Sequence, residues 1–222
     1  ALPIQVWFQA ALTAGNLAKP EACPLLARIV GRSTEQLLVR DAVVSGLENW
    51  ELQFLQLLLS DPAWTAQKSG RSALLQSLAN AVIKERQPAK IEVLLRLIAG
   101  QTAAQTWRQI ALLDGIAANT AIRQIRPIAF ATAPTALDTL GRSGDPAIRQ
   151  QAEKIKTLFA WPGHPSNSPV VTPSAALSTD EEARVVQGQT LFEQVCAGCH
   201  GLNAQGLRPL APPLANSECV LG

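Results

Sequence analysis

A chain of 222 residues with a formal charge of +2 is long enough for one large domain or two modest ones, and too weakly charged to imply a nucleic-acid partner. Hydrophobic residues make up 47% and charged residues 16%, which allows a packed core and excludes wholesale disorder. Low charge with much Ala, Leu and Gln fits a helical protein, and no transmembrane-length apolar run or signal peptide is present.

From Ala1 to Trp161 the pattern predicts a succession of short amphipathic helices. They run from Ile4 to Ala14, Cys23 to Val30 between Pro20 and Gly31, Gln36 to Leu47, and Trp50 to Leu59. A turn at Asp61-Pro62 precedes Gly70 to Lys84; Ala89 to Ala99 follows Pro88, and Gln105 to Ala118 follows Gly100. Weaker patterns cover Ile122 to Phe130 and Pro134 to Leu140. Asp145 to Phe159 closes the region, with Asp145 as N-cap and Pro146 at the first helical position. Such lengths, with short Pro, Gly or Asn punctuation and a pair spacing of roughly forty residues, fit an α-solenoid. An irregular helical bundle fits the same pattern. Trp50, Trp64, Trp107 and Trp161 read as core or ridge residues, and Cys23 as a small buried hydrophobe.

Residues 162–177 hold Pro162, Pro165, Pro169 and Pro173 with several serines between them. That composition predicts an extended linker, with an ordered connection across the helices as the alternative. The organisation expected is therefore a helical domain over 1–161, a linker over 162–177 and a second domain over 178–222.

In that last part Thr179 to Val195 reads as a helix, with Ser178/Glu181 and Thr179/Glu182 as overlapping capping-box candidates. Cys196-Ala197-Gly198-Cys199-His200 follows. Two thiols three positions apart suit thioethers to the two vinyl groups of one porphyrin, with His200 as proximal iron ligand. Other readings are a chance pentapeptide, a redox dithiol without its usual βαβ surroundings, or a zinc site completed by Cys219 or His164. The flanking helix and the later Gly201, Gly206 and Leu210-Ala211-Pro212-Pro213-Leu214 favour haem c.

This order of helix, Cys-x-x-Cys-His-Gly, glycine-containing loop and Pro-x-Leu segment resembles the N-terminal half of a class I cytochrome c domain. The resemblance implies that the Pro212 carbonyl accepts a hydrogen bond from the proximal imidazole and that Leu214 packs on the haem edge. Pro213 is a rival shifted by one residue. Arg208 reads either as a partner for a haem propionate or as a solvated loop charge. Cys219 stands where the family usually carries Trp; a Cys23–Cys219 disulfide is a further option outside the cytoplasm. The family takes its sixth ligand from a later Met, whereas this chain contains no Met and begins at Ala1. A segment of a longer protein is expected, its distal half-domain lying elsewhere. His164 is the other histidine, read as a solvated loop residue or as a ligand reached by a folded-back linker.

Asp41 to Leu47, Trp107 to Gly115 and Leu158 to Gly163 are similar to the HEAT-like region of large bacterial multidomain membrane-bound dehydrogenases. The resemblance implies an upstream β-propeller using pyrroloquinoline quinone, HEAT-like helices and one terminal cytochrome c domain. The chain is then all-α: a HEAT-like repeat domain followed by a truncated class I cytochrome c domain. The expected role is electron transfer by one covalent haem c, in the periplasm or another extracytoplasmic compartment. Its partner would be a redox protein or the upstream dehydrogenase domain. No residue set here reads as a catalytic centre. A helical scaffold subunit of a larger redox complex is the runner-up, and a haem sensor or peroxidase with an open sixth position a weaker third.

Overall fold

The computed structural model describes residues 2–121, 127–164, 178–206 and 211–215. The protein is predominantly helical and divides into two compact units, one holding the described residues up to His164 and the other those from Ser178 on.

Nine helices build the first unit among the described residues: α1 (Ile4–Gly15), α2 (Lys19–Ser33), α3 (Leu37–Ser45), α4 (Glu51–Ser60), α5 (Ser69–Lys84), α6 (Pro88–Ala99), α7 (Thr106–Ala117), α8 (Thr135–Gly141) and α9 (Pro146–Lys156). Their packing follows a rule. The odd-numbered helices touch in sequence, α1 on α3, α3 on α5, α5 on α7 and α7 on α9, while α2, α4, α6 and α8 do the same. The result is two helical layers, in which each element packs on near neighbours in the chain. The core lies between them and includes Leu26, Phe54, Leu55, Leu74, Leu78, Leu94, Leu112 and Phe159, all fully buried. Each such leucine contributes about 1.5–3 kcal/mol by leaving water.

α2 begins earlier than its periodicity suggests, at Lys19. Pro20 sits in the first turn, where a missing N–H costs nothing, and Pro24 is accommodated within the helix. Cys23 is buried there; burial pushes its thiol pKa up, opposed by the nearby Lys19 charge. Lys19 also ties the first layer together, its Nζ donating to the carbonyls of Gly15 and Gly46, both at 2.8 Å.

α7 is fixed by three consecutive side chains that reach backbone carbonyls. Trp107 Nε1 donates to Thr65 at 3.1 Å, Arg108 Nη1 to Leu59 at 3.1 Å, and Gln109 Nε2 to Ile98 at 3.0 Å. Leu59 and Ile98 lie in the last turns of α4 and α6, whose carbonyls have no partner within their own helices. Asp114 and Gly115 anchor the other end. Asp114 accepts from Gln151 Nε2 of α9 at 2.6 Å and from Gln76 Nε2 of α5 at 3.4 Å. A Cβ at Gly115 would stand 2.3 Å from the Gln76 carbonyl oxygen, so the α5–α7 approach requires glycine.

Two sequence expectations are corrected. The weak helix expected over Ile122 to Phe130 is not helical where it is described. Ile128–Ala129 form a short strand, β1, parallel to β2 (Phe159–Ala160). Ile128 and Phe130 donate to the Leu158 and Ala160 carbonyls, both at 2.8 Å. Pro127 offers no N–H to extend a helix, whereas Ile128 and Phe130 are buried and Ala129 between them is exposed, the alternation of a half-buried strand. Phe130 meets Phe159 edge to face, with centroids 5.4 Å apart. For the same reason α9 stops at Lys156 rather than running on to Phe159. Of the expected linker, residues 165–177 lie outside the described part; Trp161 to His164 form a turn closed by His164 N–H to the Trp161 carbonyl.

In the second unit, α10 (Thr179–Leu191) leads through a π-helical turn, Phe192–Cys196, into the short α11 (Ala197–His200). The expected helix over Thr179 to Val195 therefore exists, but its last turn is widened. No helix among the described residues is long and apolar enough to cross a membrane.

Two outcomes are expected from the first unit. Gly115→Ala should destabilise it by about 1–3 kcal/mol in denaturant unfolding, because the methyl meets rigid backbone rather than a side chain that can turn away. The second concerns Glu51, buried at the start of α4. Burial first, and the neighbouring Glu85 second, push its carboxyl pKa above the ordinary glutamate value, with Oε2 lacking a hydrogen-bond partner among the described residues. A raised folded-state pKa means the native state holds the proton more tightly than the unfolded chain. The penalty is absent below the ordinary value and grows as pH rises through it. Glu51→Gln should thus be more stable than the parent at neutral pH, and thermal unfolding should show that advantage vanish on acidification below about pH 4.5.

Candidate functional site

The C-terminal unit is started by a capping box. Ser178 N–H and Oγ–H both donate to Glu181 Oε2, at 2.8 and 2.7 Å, and Glu181 N–H returns a longer bond of 3.4 Å to Ser178 Oγ. Of the two overlapping candidates, Ser178/Glu181 is the pair used. The Ser178 hydrogen bonds hold the Glu181 carboxyl below its usual pKa. Asp180, Glu181 and Glu182 put negative charge on the first turn, where the helix dipole favours it. No residue of α10 is buried, and Val185, Val186 and Leu191 are all exposed. Local capping therefore carries more of this helix than core packing does.

The π-helical turn ends at Cys196, and α11 carries Cys199 and His200. Cys196 and Cys199, three residues apart on helical backbone, project to neighbouring positions on one side. Both thiols are free; Cys199 is exposed and Cys196 half-buried. Gly201 ends α11 with a φ of 78°, its N–H donating to the Ala197 carbonyl at 2.9 Å.

Beyond Gly201 the chain turns back on itself. The Ala204 carbonyl accepts from the N–H groups of Leu214 and Ala215, at 2.8 and 2.9 Å, and Gly206 N–H donates to the His200 carbonyl at 2.8 Å. These bonds bring residues 211–215 beside the histidine. Its Nδ1 lies 2.7 Å from the carbonyl oxygen of Pro212. Pro212, not Pro213, supplies that oxygen. A carbonyl oxygen only accepts, so Nδ1 carries the proton and the lone pair resides on Nε2. An imidazole with Nδ1–H held by a carbonyl and Nε2 free is a metal ligand with fixed tautomer and raised basicity. With two free thiols beside it, this donor set fits a covalently attached haem.

The structure brings Cys196, Cys199, His200, Pro212 and Leu214 into one compact unit; Leu214 is half-buried and held through its N–H. Arg208 and Cys219 lie outside the described residues. His164 belongs to the first unit, its ring tilted against Trp161 at 4.1 Å between centroids, with a buried Nδ1 that has no hydrogen-bond partner among the described residues. Among the described residues no group of three or more His, Cys, Asp or Glu side chains is gathered for a metal ion. Sequence reasoning missed Ala204, whose role lies in its carbonyl and its φ of 56°. No property of an alanine side chain announces either.

Residues 185–218 match the family model for cytochrome c. No curated protein and no solved structure matches the chain. A cytochrome c domain thus lies near the C-terminus, implying covalently bound haem c and haem-based electron transfer.

If the capping box starts α10 as described, Ser178→Ala should return the Glu181 titration upward to the ordinary glutamate range. It should also lower amide-exchange protection in the first turn of α10. Both are read by NMR on the full chain.

Proposed function

We propose that this protein carries single electrons through one haem c bound to Cys196 and Cys199 and ligated by His200. It serves as the electron-accepting C-terminal part of a periplasmic quinoprotein-type dehydrogenase. The observation that carries the site is the 2.7 Å contact from His200 Nδ1 to the Pro212 carbonyl, which leaves Nε2 as the one ring nitrogen able to bind iron. When bound, the haem supplies a one-electron couple whose potential depends on axial ligation, burial and hydrogen bonding.

The chain's own residues do the rest. Each thiol adds across a vinyl group, sulfur to one carbon and hydrogen to the other, so attachment needs no oxidant. His200 is oriented from both ends, by Pro212 at its ring and by Gly206 at its backbone carbonyl. By the resemblance, Leu214 is the residue that would pack on a bound haem; its N–H is held by the Ala204 carbonyl. The dehydrogenase setting is supported by the two-layer helical unit, in which the segments resembling HEAT-like repeats lie on α3, α7 and β2. In that reading the helices hold the cytochrome near a propeller that binds pyrroloquinoline quinone.

A second reading, a scaffold subunit of a larger redox complex, is favoured by the same unit. It spans most of the described residues and gathers no group of three or more His, Cys, Asp or Glu side chains among them.

Coexpression with haem c maturation machinery tests the proposal. The parent should gain the mass of one haem on the peptide containing Cys196 to His200 and show a reversible one-electron reduction. Cys196→Ala should keep a single thioether with a red-shifted reduced α-band. Cys196→Ala with Cys199→Ala should lose covalent haem, and His200→Ala should keep the mass increment but shift the Soret band of the ferrous carbon monoxide adduct. A colourless parent without the mass increment would remove the electron-transfer assignment.

A further inference from the structure

We propose, resting on the haem reading above, that Gly206 is the positioning residue for the proximal ligand: its missing side chain sets the hydrogen bond between His200 and Pro212. A Cβ built on Gly206 would stand 2.7 Å from three atoms at once, the Ala211 oxygen, the Pro212 carbonyl carbon and the Pro213 nitrogen. All three belong to backbone, so no flexible side chain can yield. The same residue donates its N–H to the His200 carbonyl at 2.8 Å. Gly206 therefore touches both partners of the proximal bond, the ligand through its main chain and the acceptor peptide through bare contact.

The acceptor segment has little freedom to evade a side chain there. Its far end is held at Ala204, whose carbonyl takes the N–H groups of Leu214 and Ala215. Its middle is Pro212-Pro213, and a residue before proline has a restricted backbone, which limits how the Pro212 carbonyl can swing. Relieving a 2.7 Å contact to the 3.4 Å of ordinary packing requires a shift of about 0.7 Å. The same shift applied to the Pro212 oxygen takes its 2.7 Å bond to His200 beyond the usual N–H···O range. Without that acceptor the imidazole is a poorer donor to iron, the ferric state loses stabilisation, and the reduction potential rises.

Gly201 supplies the control. Its φ of 78° matches the 76° of Gly206, but the nearest atom to its built Cβ is the Gly206 oxygen at 3.9 Å. Gly201→Ala bears a positive-φ backbone cost without the crowding, whereas Gly206→Ala adds the crowding to such a cost.

The test uses the full haem-loaded chain, with the ferrous carbon monoxide adduct for NMR and spectroelectrochemistry for the potential. Gly206→Ala should move the His200 Nδ1 proton upfield, speed its exchange with solvent and raise the potential. Gly201→Ala should leave all three near the parent. Unchanged values in Gly206→Ala, or equal shifts in the two variants, overturn the assignment. Should Gly206→Ala fail to retain haem, the ring 15N shifts of His200 in the full apo chain read the same bond. Parent and Gly201→Ala should then show the Nδ1–H tautomer in excess, with Gly206→Ala closer to a free-imidazole mixture, and identical shifts in all three overturn it. A parent that takes up no covalent haem refutes the electron-transfer reading instead, while the apo shifts still decide the role of Gly206.

Discussion

A single hydrogen bond, from the His200 ring to the Pro212 carbonyl, joins two segments twelve residues apart and gives the C-terminal unit its chemical meaning. With Nδ1 committed as a donor, the ring has one tautomer and one free lone pair. Without that bond, Cys-x-x-Cys-His is a pattern with several readings. With it, the pattern presents an imidazole of fixed tautomer on the same short segment as two thiols. The supporting geometry is almost entirely main chain: the carbonyls of Ala204 and His200, the N–H groups of Gly206, Leu214 and Ala215, and two residues with positive φ before Gly206. A site assembled from backbone tolerates many side chains around it but few changes in the path of the chain.

The helical unit depends on a different economy. Helix ends leave carbonyls without partners, and burying them is costly unless something donates. α7 answers this with three consecutive donors at its start and a carboxylate near its end, so it serves both layers at once. Arg108 shows the consequence most clearly. It is 1% exposed, donates to the end of α4 and to Gln101 Oε1, and its guanidinium lies near the Trp107 ring. A cation buried at the C-terminal end of a helix complements that helix's dipole. Its Nε and Nη2 have no partner among the described residues, so part of its desolvation is not offset.

Much of this was legible in the residues. Apolar periodicity placed the nine helices of the first unit within a few residues of their ends, because most present one apolar face to a shared core. The Asp145-Pro146 start and the Ser178 capping box are local chemistry, readable without tertiary context. The β1–β2 pair was not legible: its two-residue strands are set by partners thirty-one positions apart, and no local window contains both. Within the candidate site, Cys196, Cys199 and His200 stand out by spacing alone. Pro212 could be separated from Pro213 only once the loop path was known. Ala204 was invisible because its contribution is a carbonyl, which every residue has.

The π-helical turn between Phe192 and Cys196 decouples two directions on one rod. Each residue of an α-helix advances the azimuth by roughly 100°, so a turn that takes up one extra residue rotates all that follows by about that amount. The exposed side chains of α10 and the bearing of the two sulfurs are therefore indexed separately. A chain shorter by one residue there would heal into plain α-helix and carry the thiols, His200 and the loop that fixes it around the axis together, relative to α10. The spacing within the pentapeptide would be untouched, while its bearing relative to α10 would change.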